Sequence, residues 1–296
     1  MKKSKVIFFL LILIGLSIVT THSIQHPVQP PFTHSLSILF QELGKPIKSV
    51  DRAISCILPV DEIDEKMLGD EIKLKLADTT IQEEATIKYL NSLVQCFSDE
   101  THKPFEYEVF LVDGPPNACA LPGGVICVTT GLIKLLENEA ELAAILGHEI
   151  GHIERGHLFD AARGEMLLRK ITGESHAFYA SELLHLMLNF IFSKSQEEEA
   201  DEYSFRLLVK KQYNPFAISD VFTKLSSSHI HNPQPTSLID DFFATHPQTE
   251  LRIEKFYARA QAWIANHPRE KWYGGEKNFA NRITHTEKDY PDEWRY

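Results

Sequence analysis

The chain has 296 residues, 43% of them hydrophobic, and a formal net charge of −11. This is long enough, and apolar enough, to bury a substantial core. The acidic balance, with no Lys/Arg block beyond the first few residues, excludes nucleic acid as a partner and attachment to anionic lipid headgroups by charge.

Residues 1–23 open with the lysines of Met1–Lys5, followed by the apolar run Val6–Val19. The run falls short of the about twenty residues that cross a bilayer, but it suits the core of a secretory signal peptide. An uncleaved N-terminal anchor and an ordinary buried helix are the alternatives. No cysteine follows the run to carry a lipid. Residues 24–104 read as the N-terminal helical part of a catalytic domain. An extended lead over 24–34 precedes amphipathic helices at Ser35–Ile57 and Thr79–Phe97, joined by an acidic segment with Asp61, Glu62, Asp64 and Glu65.

Phe105–Val112 alternates and then turns fully apolar, which predicts a strand. A short edge strand at Asn117–Ala120, a turn at Leu121–Gly124 and a strand at Val125–Thr129 follow. The four cysteines are Cys56, Cys96, Cys119 and Cys127, enough for two disulfides in an oxidising compartment. If Leu121 and Gly124 close the turn, Cys119 faces Ile126 and Cys127 points to the other side of the sheet, which disfavours that bridge. Cys56 and Cys96 could pair instead, and four buried thiols are the alternative.

Helices are predicted at Gly131–Leu136, Glu139–His157 with Gly156 ending it, Lys194–Lys211, Asn214 to Leu225, and Gln248–Asn266. Ser181–Ser193 is apolar but too short to span a membrane; it reads as a core helix or a lid. Ser226–Asp240 reads as a loop whose His229 and His231 are solvated or spare ligands. The tail, 267–296, mixes aromatic and charged residues without a period.

The chemistry concentrates in His148-Glu-Ile-Gly-His152. Leu142, Ile145, Leu146, Ile150 and Ile153 give the surrounding helix its three- and four-residue spacing. Histidines at i and i+4 then project from one face and can share one Zn²⁺. Glu149 is free to take a proton from a zinc-activated water. The long pattern with a third histidine six residues on is excluded by Arg155 and Leu158. His157 is one residue out of register and faces away from His152. A carboxylate on a later helix remains. Glu197, Glu198, Glu199, Asp201 and Glu202 all qualify by chemistry. Helical spacing puts Glu197 and Asp201 on one face with Ala200, while Glu198 and Glu202 form a second pair that reads as a solvated stripe. An acid one turn beyond a carboxylate ligand can hold a ligating histidine by its free N–H.

Four ordered segments carry a resemblance: Asn117–Gly131, Glu137–His152, Glu197–Asp201 and Thr245–Ile253. On them the chain resembles the zinc metallopeptidases of the HtpX, BepA and CAAX prenyl protease type, a gluzincin arrangement, and is closest to its small soluble envelope members. The resemblance implies an α+β fold with a small β-sheet packed on a helical bundle, its catalytic core over 105–266. It also implies one Zn²⁺ per chain, with His148 and His152 as ligands, Glu197 as the third and Asp201 as a supporting partner. It brings His246 to the zinc, either steadying the oxyanion or filling the metal's open position at rest. Arg252, on the same helix, would pair with Asp201 or Glu198, or lie on the surface. The edge strand would line the substrate groove through Asn117, Ala118, Gly123 and Gly124, with a plain hairpin arm as the alternative.

The expected function is an exported, periplasmic endopeptidase acting on unfolded or misassembled envelope proteins. Protein and peptide substrates, and membrane-surface or outer-membrane assembly partners, follow from that reading. The rival is an assembly factor or holdase that binds such clients and seldom cuts them.

Overall fold

The computed structural model of the chain describes residues 60–160, 162–163, 166, 184, 187–188, 190–231, 245–246, 249–284 and 290–295. The signal-like segment, the helix predicted at Ser35–Ile57, Cys56 and most of the 226–240 loop lie outside them.

Strands β1 (Glu108–Val112), β2 (Ala118–Leu121) and β3 (Val125–Thr129) form one sheet in the order β1-β3-β2. β1 runs parallel to β3 and β2 antiparallel to it, so β2 is an edge, as its brevity suggested. Both faces of the sheet are covered. Val109, Leu111, Ala118, Ala120, Ile126 and Val128 enter the larger core, while Phe110, Val112, Leu121, Val125 and Cys127 enter a second one. That double burial explains why β3 reads as an unbroken apolar run.

The register corrects the cysteine geometry expected from the sequence. The turn closes at Leu121↔Val125, not Leu121 with Gly124, because three residues, Pro122–Gly124, make the connection. Gly123 and Gly124 take the left-handed conformation this turn needs, at φ 73° and 85°. One extra residue reverses the facing of the whole strand relative to its neighbour. Cys119 and Cys127 are therefore directly opposed. Both are thiols, and the hydrogen bond between them, together with burial, raises the Cys119 pKa.

A second correction concerns the acidic linker, which is the first turn of helix α1 (Glu62–Ala77). Asp61 caps it by accepting from the Ile63 and Asp64 amides, and Asp64 accepts in return from the Asp61 amide. Glu62, Asp64 and Glu65 then sit where the helix dipole favours negative charge. Its buried stripe, Leu68, Ile72 and Leu76, is obscured in the sequence by exposed Ile63, Met67 and Leu74. Gly69 lets α1 rest on the Pro122–Gly124 turn: a Cβ there would stand 2.7 Å from Gly123 Cα and from the Pro122 carbonyl oxygen.

The described residues also form helices α2 (Glu84–Gln95), α3 (Thr130–Leu135), α4 (Glu139–Glu154), α5 (Lys194–Lys210), α6 (Ala217–His231), α7 (Thr249–Asn266) and α8 (Glu276–Asn281). α6 runs past Leu225 into the predicted loop. Its serines are compatible with helix because Ser227 and Ser228 bond back to the Thr223 and Leu225 carbonyls. Among the described residues no helix is long and apolar enough to cross a membrane. Of the 181–193 segment, Met187, Leu188 and Phe192 are buried in the second core.

The C-terminal tail has a structural role that its sequence did not disclose. β4 (Trp272–Tyr273) pairs with β5 (Trp294–Arg295), flanking α8. The carbonyls of Gly274 and Gly275 accept from the amides of Ala140 and Glu139, two first-turn donors of α4 with no partner inside that helix. The buried Glu139 carboxylate accepts from the hydroxyls of Tyr89 and Tyr213 at 3.0 and 2.7 Å. The start of α4 is thus held from three directions.

Gly69→Ala should cost about 1–3 kcal/mol by forcing α1 off the turn. Chemical denaturation of the variant beside wild type tests this; an unchanged midpoint contradicts the close packing.

Candidate metal centre

α4 is buried along nearly its whole length, and α5 packs closely along it through small residues. A Cβ on Gly147 would meet Leu207 and Ser204 at 2.8–3.2 Å, and one on Gly151 would meet Ala200 and Tyr203 at 3.0 Å. Ser204 Oγ also donates to the Ala144 carbonyl across the seam. These glycines stand one residue before His148 and His152, so the contact that joins the helices also sets the height of the histidines. Glu197, one turn N-terminal of Ala200 on α5, is carried to the same level.

The imidazole Nε2 atoms of His148 and His152 lie 3.0 Å apart. Glu197 Oε1 is 3.5 Å from His152 Nε2, and Oε2 is 3.6 Å from His148 Nε2. His246 Nδ1 completes the group, 2.9 Å from Glu197 Oε1 and 3.2 Å from His148 Nε2. Four donors bound tetrahedrally at 2.0–2.1 Å from one ion would stand about 3.3 Å from one another. The observed separations bracket that value, and two or three imidazoles with one carboxylate are ordinary transition-metal donors. The residues fit a metal ion.

Beyond the donors lies a shell of charge. His148 Nδ1 is 2.9 Å from Asp201 Oδ1. Arg252 donates through Nε and Nη2 to the two Asp201 oxygens, at 2.8 and 2.7 Å, and its Nη1 reaches Glu197 Oε2 at 2.5 Å. The guanidinium lies over the Phe222 ring. Of the two acids expected for Arg252, Asp201 is the partner. Glu198 and Glu202 make surface pairs with Lys255 and Arg259.

Burial opposes charge on both carboxylates, yet their hydrogen-bond partners and the Arg252 guanidinium outweigh it. His246, His152 and Arg252 hold Glu197 well below the usual carboxylate range. Arg252 and His148 do the same, less strongly, for Asp201. Burial dominates at His152 and keeps its ring neutral, as a ligand must be.

Glu149 is fully buried, and neither of its oxygens has a hydrogen-bond partner among the described residues; His246 Nε2 stands 3.9 Å from Oε1. The site is sealed, since His148, Glu149, His152, Glu197 and His246 are each at most 1% exposed. Asn117 and Ala118 are buried at the start of β2, and Gly123 and Gly124 are buried in the turn. The side chains of His229 and His231 lie outside the described residues.

Two neighbours escaped the sequence reading. Phe192 stacks on His246 with ring centroids 5.1 Å apart and lies 3.8 Å from the His152 ring; nothing in its spacing marks it. His157 was expected to face away, but its Nδ1 lies 3.0 Å from His152 Nδ1. α4 ends at Glu154, and Gly156, at φ 68°, turns the chain back. The signal was Gly156 itself, since a helix stop invalidates helical spacing across it. Burial lowers the His157 pKa to about 4.

Peptidase family M48 matches residues 82–260, more than half of the chain, and the chain belongs to that family. Metalloprotease LoiP of Escherichia coli (strain K12) is 30% identical over 171 residues, covering 54% of this chain and 64% of that protein. Mitochondrial metalloendopeptidase OMA1 of Arabidopsis thaliana is 30% identical over 159 residues, 52% of this chain and 31% of the relative. The beta-barrel assembly-enhancing protease of Escherichia coli (strain K12) is 25% identical over 218 residues, 66% and 44%. The chain thus spans about one third to two thirds of the length of these relatives.

Replacing Arg252 with Met should destabilise the protein by about 3–5 kcal/mol, because two buried carboxylates lose their cation. Arg252→Lys should recover part of this, lacking the two-pronged geometry that grips Asp201. Urea unfolding at neutral pH measures both; equal stability of the Met variant would contradict the shell described here.

Proposed function

We propose that this member of family M48 is a zinc endopeptidase of the cell envelope that cleaves unfolded or misassembled proteins. The observation that carries the reading is the convergence of four buried metal-donor atoms beside a carboxylate with no hydrogen-bond partner among the described residues. His148, His152 and Glu197 would hold the ion. When bound, zinc supplies a Lewis acid for the scissile carbonyl and lowers the pKa of water to about 7.

Glu149 would accept the water proton and pass it to the leaving amine. A carboxylate already stripped of water and of competing donors suits that task, since its lone pairs are uncommitted. Asp201 orients His148 through Nδ1, and Arg252 keeps Asp201 and Glu197 ionised. The outer edge of β2 would receive the substrate. Asn117 accepts from the Thr129 amide, so by antiparallel alternation the backbone groups of Ala118 and Ala120 face away from β3. An extended peptide could pair there by backbone hydrogen bonds, which favours unfolded segments over folded ones.

His246 we assign to the fourth metal position in a resting state. Its Nδ1 sits among the donors, and the ring is buried, so it would have to leave before a substrate carbonyl could enter the site. This arrangement also gives the rival reading its support: a protein held in this state would bind clients and seldom cut them. Envelope location and outer-membrane substrates rest on the N-terminal segment and on the name of the relative that enhances beta-barrel assembly.

The test is zinc content and casein cleavage by the full chain, with Glu149→Gln and His246→Ala. One zinc per chain is expected, with cleavage lowered about 10²–10⁴-fold by Glu149→Gln and raised by His246→Ala. Zinc without cleavage in any variant would transfer the reading to the holdase, and absence of zinc would end it.

A further inference from the structure

The two histidines of the α4 motif are both gripped from behind, by groups of different kind. His148 Nδ1 faces a carboxylate, Asp201. His152 Nδ1 faces another imidazole, that of His157, at 3.0 Å. The His157 ring is buried, and its second nitrogen, Nε2, stands 3.7 Å from Glu199 Oε2. Neither ring nitrogen of His152 therefore points to solvent: Nε2 joins the donor cluster and Nδ1 meets His157.

The tautomers follow from bonding alone. Lending its Nε2 lone pair to a metal requires His152 to carry its proton on Nδ1. The facing Nδ1 of His157 must then be the acceptor, which puts the His157 proton on Nε2, toward Glu199. No other assignment is compatible with a metal on His152 Nε2 and a hydrogen bond between the two Nδ1 atoms. We propose that His157 is a positioning residue of this site, whose Nδ1 accepts the His152 Nδ1–H and so fixes the tautomer and ring angle with which Nε2 meets the metal.

Three local features support the role. Gly156 breaks the helix in the left-handed conformation, and the chain resumes a turn at His157 that brings the ring back over His152. Phe192 lies against a face of the His152 ring, with centroids 3.8 Å apart, while His157 meets its Nδ1 edge, so the stack and the hydrogen bond together hold the ring. And Glu199, which the sequence offered only as a metal-ligand candidate, lies on the far side of His157, where it can hold the outer proton. His157 touches no reacting atom; it acts through His152.

The inference rests on the zinc-site reading above, and its test reads metal affinity as well as activity. Full-length wild type, His157→Leu and His157→Asn would be compared for zinc affinity by chelator competition, and for the visible spectrum of the Co²⁺ form. Asn places an amide oxygen near the position of Nδ1, so it restores the acceptor without the ring. His157→Leu should weaken zinc about 10–100-fold and alter the cobalt bands, while His157→Asn stays within about threefold of wild type. Wild-type affinity and spectrum in a folded Leu variant would overturn the proposal. So would an Asn variant as weak as Leu, because packing rather than the acceptor would then matter. Side-chain ¹⁵N NMR of the zinc-loaded wild type decides the matter without any variant: His157 protonated on Nε2 is expected, and protonation on Nδ1 refutes the role. A wild type that binds zinc but cuts nothing would sink the peptidase reading and leave this comparison intact.

Discussion

A single buried cation organises the centre of this protein. Arg252 stands between Asp201 and Glu197, at 5% exposure and against the face of Phe222. Three ionised groups taken out of water are tolerable only if their geometry is nearly complete, since one unpaired member would cost several kcal/mol. That demand locks α7 to α5, and through Phe222 both to α6. It then passes inward. Asp201, held by Arg252, has one direction left in which to face His148, and Glu197 is presented edge-on to the donor cluster. The geometry of the donor cluster is thus set by an ionic shell outside it.

The sequence disclosed the inner half of this arrangement more fully than the outer half. His148, Glu149 and His152 are legible because one helix carries them, and a periodic pattern fixes which way each side chain points. Glu197 and Asp201 are legible for the same reason, four residues apart on another helix. Arg252 was narrowed to two acids and a surface position, since its choice depends on how α7 lies across α5, and no local rule sets that. The errors are of one type. The facing of Cys119 and Cys127 turned on a single residue in the Pro122–Gly124 connection. His157 was misplaced because helical spacing was carried across Gly156. Helix α1 was missed because Ile63, Met67 and Leu74 scatter apolar residues around a narrow buried stripe. In each case the local pattern was sound, and a break or a tertiary contact decided the outcome.

The tail illustrates the limit of periodicity as a signal. The described residues of 272–295 form strands of two residues, one short α-helix and one 3-10 turn, too brief for any repeat to show. Their contribution is made by backbone carbonyls, which every residue possesses and no composition reveals. Gly274 and Gly275 supply two acceptors to the first turn of α4, and Tyr273 fills the larger core behind them. With Tyr89 and Tyr213 on the Glu139 carboxylate and Lys224 on that of Glu141, the start of the motif helix is satisfied at its first amides and at both of its buried charges.

This contrast between frame and centre bears on how the site works. Around α4 nearly every polar group is matched: its first amides by the tail, Glu139 by two tyrosines, Asp201 and Glu197 by Arg252. At the middle of the same helix Glu149 is buried with no hydrogen-bond partner among the described residues. A desolvated carboxylate is unfavourable in a resting fold, and a sequence selected for stability alone would remove it. Its burial suits a group whose partner comes from outside the chain, as in the role proposed for Glu149 above. Such local dissatisfaction is tolerable only where the surrounding frame is rigid and well paired. The well-paired start of α4 and the unpaired Glu149 then complement each other, with stability gathered at the helix terminus and along the α5 seam offsetting what the buried Glu149 costs.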